Sequence, residues 1–103
     1  MAAPRVVLST KAKRDLADIE GYVLAQDGPL RADLVVERIE TTLRNLAHNP
    51  AIGRPRPDIS ARKVLFFPSA PWMIMYRPLH NLGGVRVMRI VHGRRDLRRA
   101  VRA

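Results

Sequence analysis

The chain has 103 residues and is 47% hydrophobic, which indicates one folded domain spanning 1–103 and excludes a disordered polypeptide. Nineteen Lys and Arg side chains against nine Asp and Glu give a net charge of +10, so the partner we expect is a polyanion, either nucleic acid or an acidic protein segment. The absence of cysteine excludes disulfides and thiolate chemistry. No segment approaches the roughly 20 apolar residues of a membrane span. The N-terminus lacks the apolar core of a secretory signal, so we expect a cytoplasmic protein.

The first half of the chain predicts a strand followed by a helical hairpin. Residues 5–9 form an apolar strand, and Ser9 is a suitable N-cap for a helix that runs to about Gln26. Gly28-Pro29 separates it from a second helix that ends near His48, before Asn49-Pro50. Apolar residues recur at helical spacing in both helices: Ala12, Leu16, Ile19 and Val23, then Val35, Ile39, Thr42, Leu43 and Leu46. The short link predicts an antiparallel pair.

The second half predicts a loop and an antiparallel sheet. Residues 50–61 contain Gly and three Pro and read as a loop, followed by strands over 63–67, 72–77 and 85–92. Asn81-Leu82-Gly83-Gly84 supplies the turn before the last strand. Simple alternation in that strand places Val85, Val87, Arg89 and Val91 on one face and Arg86, Met88, Ile90 and His92 on the other.

These elements predict an α+β fold in which the helical hairpin covers one face of a three- to four-stranded, mainly antiparallel sheet. Trp72 and Ile74 are expected to share the face that meets the helices. The last residues, about 96–103, are a short basic tail or a last helical turn.

Little in the sequence resembles a self-contained catalytic or metal site. His48, His80 and His92 lack a second ligand at metal-binding spacing, so we expect no metal and no other cofactor. Ser9, Ser60 and Ser69 have no partnered His, and Gly83-Gly84 lacks the Lys and helix of a phosphate-binding loop.

The strongest functional signal is a cluster of arginines in and after the last strand. Such a cluster can hold a nucleic-acid backbone or an acidic peptide, because the guanidinium group pairs with phosphate and carboxylate in two-point geometry. The candidate target- or partner-binding residues are Arg77, Arg86, Arg89, His92, Arg94, Arg95, Arg98 and Arg99.

Four segments, in order along nearly the whole chain, resemble the ParE/RelE toxin superfamily. Residues 12–22 resemble the first helix of ParE-like toxins, and residues 49–57 resemble their Asn-Pro…Gly-Arg-Pro loop. Met75-Tyr76-Arg77-Pro78 is similar to the end of their third strand. Residues 87–96 are similar to their closing Val…His-Gly-x-Arg-Asp segment.

The resemblance implies one of two activities. ParE-like members inhibit DNA gyrase without catalysis of their own, and their pairs with antitoxins are linked to growth inhibition and plasmid stabilisation. RelE-like members are ribosome-dependent mRNA endoribonucleases, often with a C-terminal catalytic Tyr. No Tyr follows residue 76 here, which favours the gyrase inhibitor over an enzyme. If the chain were a ribonuclease, Arg77, His92 and Arg95 would be the catalytic candidates, although His92 beside Asp96 also suits a structural role.

The resemblance also implies a partner, an acidic ParD-like antitoxin that binds the toxin in a hetero-oligomer. Its acidic segment would suit the exposed arginines, and exposed positions of the helical hairpin would supply apolar pockets. A third hypothesis is a basic interaction module that has lost toxicity.

Overall fold

The computed structural model describes residues 3–60, 62–80 and 83–102, and it begins with the predicted strand and two helices. Strand β1 (Arg5–Leu8), helix α1 (Thr10–Asp27) and helix α2 (Pro29–His48) are joined by the single residues Ser9 and Gly28. The Ser9 Oγ accepts a 3.0 Å hydrogen bond from the Ala12 N–H and thereby caps α1. Gly28 donates its N–H to the Leu24 carbonyl and accepts from the Ala32 N–H, so one residue ends α1 and begins α2.

Four strands form one mixed sheet in the order β1-β4-β3-β2. Strands β2 (Leu65–Ser69), β3 (Trp72–Pro78) and β4 (Gly84–His92) form the predicted antiparallel meander, and β1 adds to β4 in parallel. At Gly84, a Cβ atom would overlap the Arg5 backbone, so glycine permits the close approach of β1 and β4. The predicted α+β fold is confirmed; the turn residues Asn81 and Leu82 lie outside the described residues.

The main core lies between the helical hairpin and the sheet. Ile39, Leu43 and Leu46 of α2 and Ala12, Ile19 and Val23 of α1 are buried there, as their spacing predicts. From the sheet, Ile74 and Tyr76 are fully buried in the same cluster, and Trp72 packs against it. The expectation that Trp72 and Ile74 face the helices is confirmed.

A second apolar cluster, the outer core, covers part of the opposite face of the sheet. The segment expected as a basic tail or a last helical turn forms helix α3 (Leu97–Arg102). Its residues Leu97, Ala100 and Val101 are buried against Phe66 and Val91. The arginine-rich sequence hides this role because its three apolar residues occupy the one stripe that meets the sheet.

A β-bulge in β4 overturns the predicted alternation of its faces. Met75 pairs with Arg89 while Tyr76 pairs with Val87, so Met88 is an extra residue in the ladder. After the bulge the two faces exchange, which places Ile90 in the main core and Val91 in the outer core. The prediction that Val91 shares a face with Val85 and Val87 was therefore wrong.

The loop between α2 and β2 is fastened by one buried tyrosine. It starts with a 3-10 turn at Pro50–Ile52. The Tyr76 hydroxyl donates to the Pro50 carbonyl at 2.7 Å and accepts from the Gly53 N–H at 2.8 Å. A Cβ atom at Gly53 would overlap the tyrosine ring, so the Asn-Pro…Gly loop and the Tyr-Arg strand end require one another.

The β2 edge of the sheet is closed to further strands. Phe66 exchanges both backbone hydrogen bonds with Arg54, at 2.8 and 2.9 Å, on the side away from β3. Two positions later Pro68 has no N–H to offer on that side. The expected strand over 63–67 stopped before Pro68, whereas an edge strand accommodates a proline and β2 continues to Ser69.

Candidate target- and partner-binding surfaces

The net charge is distributed very unevenly between the layers. Helices α1 and α2 contain seven acidic and six basic side chains, a net charge of −1. The remainder of the chain contains thirteen basic and two acidic side chains, a net charge of +11, and no acidic residue occurs from Ile59 through Arg95. The charge predicted to attract a polyanion therefore belongs to the sheet, the loops and α3 rather than to the hairpin.

The outer face of the sheet is the face opposite the helical hairpin. Among the described residues, three arginines lie on the part of this face next to the area covered by α3. Arg77 and Arg86 are directly opposite one another on β3 and β4 and both are exposed. Arg5 on β1 pairs with Gly84 and projects to the same face, since its neighbour Val6 packs against the main core. We call Arg5, Arg77 and Arg86 the outer arginine face.

Arg89 is engaged in a bidentate ion pair with Asp15 of α1. Its Nε and Nη2 donate to the two carboxylate oxygens at 2.8 and 3.0 Å. Asp15 also accepts the Ile90 N–H at 2.9 Å, while the Ser9 Oγ donates to the Met88 carbonyl at 2.8 Å. The hydrogen bonds to Asp15 raise the pKa of Arg89 more than burial lowers it. This candidate arginine therefore ties α1 to the bulge in β4.

His92 lies at the end of β4 and organises the turn that follows. Its Nδ1 accepts hydrogen bonds from the Arg94 and Arg95 N–H groups, both at 3.2 Å, so the neutral ring carries its hydrogen on Nε2. The ring also meets Trp72 edge to face, with centroids 5.9 Å apart. These contacts assign His92 a structural part in the His-Gly-x-Arg-Asp turn.

A cleft of about 430 Å³ separates α1 from the His92 turn and α3. Its walls combine aromatic, acidic and basic side chains, and Arg95 and Arg99 line it together with Asp18, Asp96 and Tyr22. Arg94 and Arg98 line a separate groove of about 230 Å³ on the other side of the turn. The predicted cluster is thus divided among at least three places.

The ribonuclease candidates Arg77, His92 and Arg95 are not gathered at one point. Trp72 pairs with His92 and Arg77 pairs with Arg86, so Arg77 and His92 lie about 16 Å apart along the sheet. They also project to opposite faces, because Trp72 packs on the main core and Arg77 does not. Only His92 and Arg95 share the cleft.

The hairpin carries an exposed apolar surface, whose residues the prediction from sequence did not name. Leu30 and Leu34 lie one helical turn apart on α2 and are 75% and 51% exposed, and Leu24 and Tyr22 of α1 are also exposed. Leu34 lines a groove of about 390 Å³ with polar residues of α2, including Arg31 and Arg38. The available signal was leucines that fall off the buried stripe of an amphipathic helix.

Within residues 3–60, 62–80 and 83–102, no three His, Asp or Glu side chains cluster closely enough to hold a metal ion. None of the helices in these ranges is long and apolar enough to cross a membrane.

Residues 6–97 match the family described as the ParE toxin of the type II toxin–antitoxin system parDE. This chain belongs to the ParE toxin family. The toxin ParE3 of Caulobacter vibrioides is 30% identical over 93 residues, which cover 90% of each chain. The present chain is therefore a toxin of a type II toxin–antitoxin system, in the ParE/RelE family.

Two solved structures share the ParE fold. A chain of the chromosomal ParDE system from P. aeruginosa superposes with a TM-score of 0.70 at 21% identity, over 87% of this chain and 96% of that one. A chain of the RelBE2 toxin–antitoxin complex from Mycobacterium tuberculosis gives a TM-score of 0.58 at 20% identity, over 88% and 99% of the two chains. At these identities the likeness concerns the fold alone.

Proposed function

We propose that this ParE-family toxin inhibits DNA gyrase without catalysing a reaction itself and is neutralised by a ParD-like antitoxin. The observation that carries the proposal is the family match over residues 6–97. Two features support a non-catalytic inhibitor over a ribonuclease. No tyrosine follows residue 76, and Arg77 lies far from His92. A general base needs its cations around the same phosphate, and Arg77 lies too far from His92 to share one with it.

We propose that the antitoxin binds the hairpin and the adjoining cleft. Exposed Leu30, Leu34 and Tyr22 offer the apolar anchors that protein interfaces use. Arg95 and Arg99 line the cleft beside Tyr22 and would pair with acidic residues of the antitoxin. A ParD-like protein with an acidic segment therefore suits this side of the molecule. Inhibition of gyrase, and with it of growth, would take place in the cytoplasm.

The test is a supercoiling assay with purified gyrase and relaxed plasmid, run beside a ribosome-dependent mRNA cleavage assay. We expect loss of supercoiling with accumulation of cleaved DNA, and intact mRNA. His92→Asn serves as the matched variant, because its amide oxygen can accept the Arg94 and Arg95 N–H groups while the imidazole base is removed.

Gyrase inhibition that survives His92→Asn supports the proposal. Cleaved mRNA with unaffected gyrase would replace it with the ribonuclease. Inactivity in both assays would favour the basic module without toxicity.

A further inference from the structure

Among the described residues, no carboxylate is paired with the outer arginine face. In the described part of the chain the Arg–carboxylate ion pairs are Arg89–Asp15 and Arg56–Asp58, and neither includes Arg5, Arg77 or Arg86. Like charges directly opposite each other on neighbouring strands repel, and Arg77 and Arg86 occupy such a pair of positions. A bound polyanion would remove this repulsion.

The neighbouring side chains extend the positive surface. Lys11 and Arg62 are exposed and line an adjoining groove of about 290 Å³, which Met88 also lines. Met88 follows Arg86 by two positions and leaves the ladder at the bulge, on the outer side of the sheet. The basic side chains thus run from β1 across β4 and β3 on one side of the molecule.

The surroundings favour a nucleic-acid backbone over a protein. Exposed large apolar side chains of the described residues are Tyr22, Leu24, Leu30, Leu34 and Ile52, on the hairpin and in the loop after it, and none is on the outer face. Protein interfaces need such anchors, whereas interfaces with DNA are polar and strongly positive. The described outer face also presents no exposed aromatic ring on which single-stranded bases would stack.

We propose that the outer arginine face binds the phosphate backbone of duplex DNA, independently of base sequence. The choice of DNA over duplex RNA rests on the proposed function, because gyrase holds duplex DNA. The toxin would then contact its target complex through DNA as well as through protein, while the hairpin on the opposite side remains available to the antitoxin.

The experiment measures fluorescence anisotropy of a labelled mixed-sequence duplex of about 30 base pairs, without gyrase, between about 50 and 200 mM salt. We expect Arg77→Gln/Arg86→Gln to weaken binding about tenfold at the lowest salt. The slope of log K against log salt should fall by about 1.8, since each lost phosphate contact contributes about 0.9. The matched control is Arg31→Gln/Arg38→Gln, which removes two exposed charges from α2 and should change affinity less than about twofold.

Equal losses in the two double variants would overturn the proposal, because they would show a general effect of net charge. Tighter binding to single-stranded DNA or duplex RNA of the same length, or no binding to duplex DNA, would also overturn it. Thermal unfolding checks that each variant folds. If Arg77→Gln/Arg86→Gln does not fold, the single variant Arg5→Gln takes its place, and we expect it to lose part of the DNA affinity. Gyrase inhibition without DNA binding would refute this inference and leave the proposed function standing. DNA binding without gyrase inhibition would refute the proposed function and leave the binding of DNA standing.

Discussion

Two residue contacts join the four family-like segments in pairs. Asp15, in the first-helix segment, binds Arg89 in the closing segment, and Tyr76, at the strand end, binds both Pro50 and Gly53 of the loop. Each contact links positions far apart in sequence and satisfies backbone groups that would otherwise be unpaired. The segments that mark the family therefore maintain the fold, and a chain can retain them without retaining its target.

Tyr76→Phe should destabilise the protein by about 2 kcal/mol, because the Gly53 N–H and the Pro50 carbonyl lose their partner. Urea denaturation measures the change. Tyr22→Phe is the control, since Tyr22 is 57% exposed, and it should have little effect. Equal stabilities for wild type and Tyr76→Phe would show that the loop is held by other contacts.

The wild type and Tyr76→Phe should become closer in stability at alkaline pH. Burial raises the pKa of Tyr76 above its ordinary value, and the Gly53 hydrogen bond only partly opposes this. The hydroxyl's contribution is therefore complete below the unfolded pKa of about 10 and is lost as the pH rises through the folded pKa. Denaturation from pH 8 to pH 11, as a difference between wild type and Tyr76→Phe, should show the gap narrowing; a constant gap would contradict the assignment.

Asp15→Ala should cost about 3 kcal/mol, because it leaves Arg89 without its carboxylate and the Ile90 N–H without an acceptor. Asp18→Ala, on the exposed side of α1, removes the same charge and should be nearly neutral. Thermal and urea unfolding compare them. Similar losses in both variants would mean that net charge, rather than this contact, determines stability.

At the scale of elements, local signals predicted the helices and the meander well. Ser9, Gly28-Pro29 and Asn49-Pro50 act within one turn of the chain, so they set the ends of α1 and α2 to within a residue or so. The bulge was not predictable in this way, because the hydrogen bonds around it join the Met88 carbonyl to Ser9 and the Ile90 N–H to Asp15, more than 70 residues away. The surfaces were predictable only in part, since the cluster of arginines gave their charge but not their division among separate faces.

The contribution of helix α3 to stability can be tested directly, because composition left open whether residues 96–103 form a tail or a last helical turn. Leu97→Ala should destabilise the fold by about 2–3 kcal/mol, since Leu97 is 5% exposed in the outer core. Arg98→Ala, one position later and exposed, should change stability little. If both substitutions are neutral, α3 does not contribute to the folded core.

At the scale of the whole molecule, the hairpin and the outer side of the sheet are chemically different surfaces. The hairpin is nearly neutral and exposes leucines, whereas the sheet, the loops and α3 together hold the net positive charge. A protein partner and a nucleic-acid partner can therefore occupy the molecule without competing for the same contacts.

Leu30→Asp/Leu34→Asp should reduce antitoxin affinity by at least about tenfold while leaving the fold and gyrase inhibition intact, because truncating central apolar anchors costs more than about 1.4 kcal/mol. Both leucines are exposed, so the fold does not depend on them. Calorimetric titration with the antitoxin measures the effect, and Arg77→Gln/Arg86→Gln is the control. Unchanged antitoxin affinity would place the interface elsewhere.

The closed β2 edge limits how many neighbours the sheet can acquire. A sheet with two free edges can add strands on both sides and grow into a fibre, as heterologous contacts that do not close on themselves do. Here the outward backbone groups of Phe66 are already hydrogen-bonded to Arg54, and Pro68 has no N–H to donate. At most the β1 edge is therefore available to a further strand. Each molecule can therefore gain at most one neighbour by strand addition. Two molecules could pair in this way, but a chain of molecules could not form.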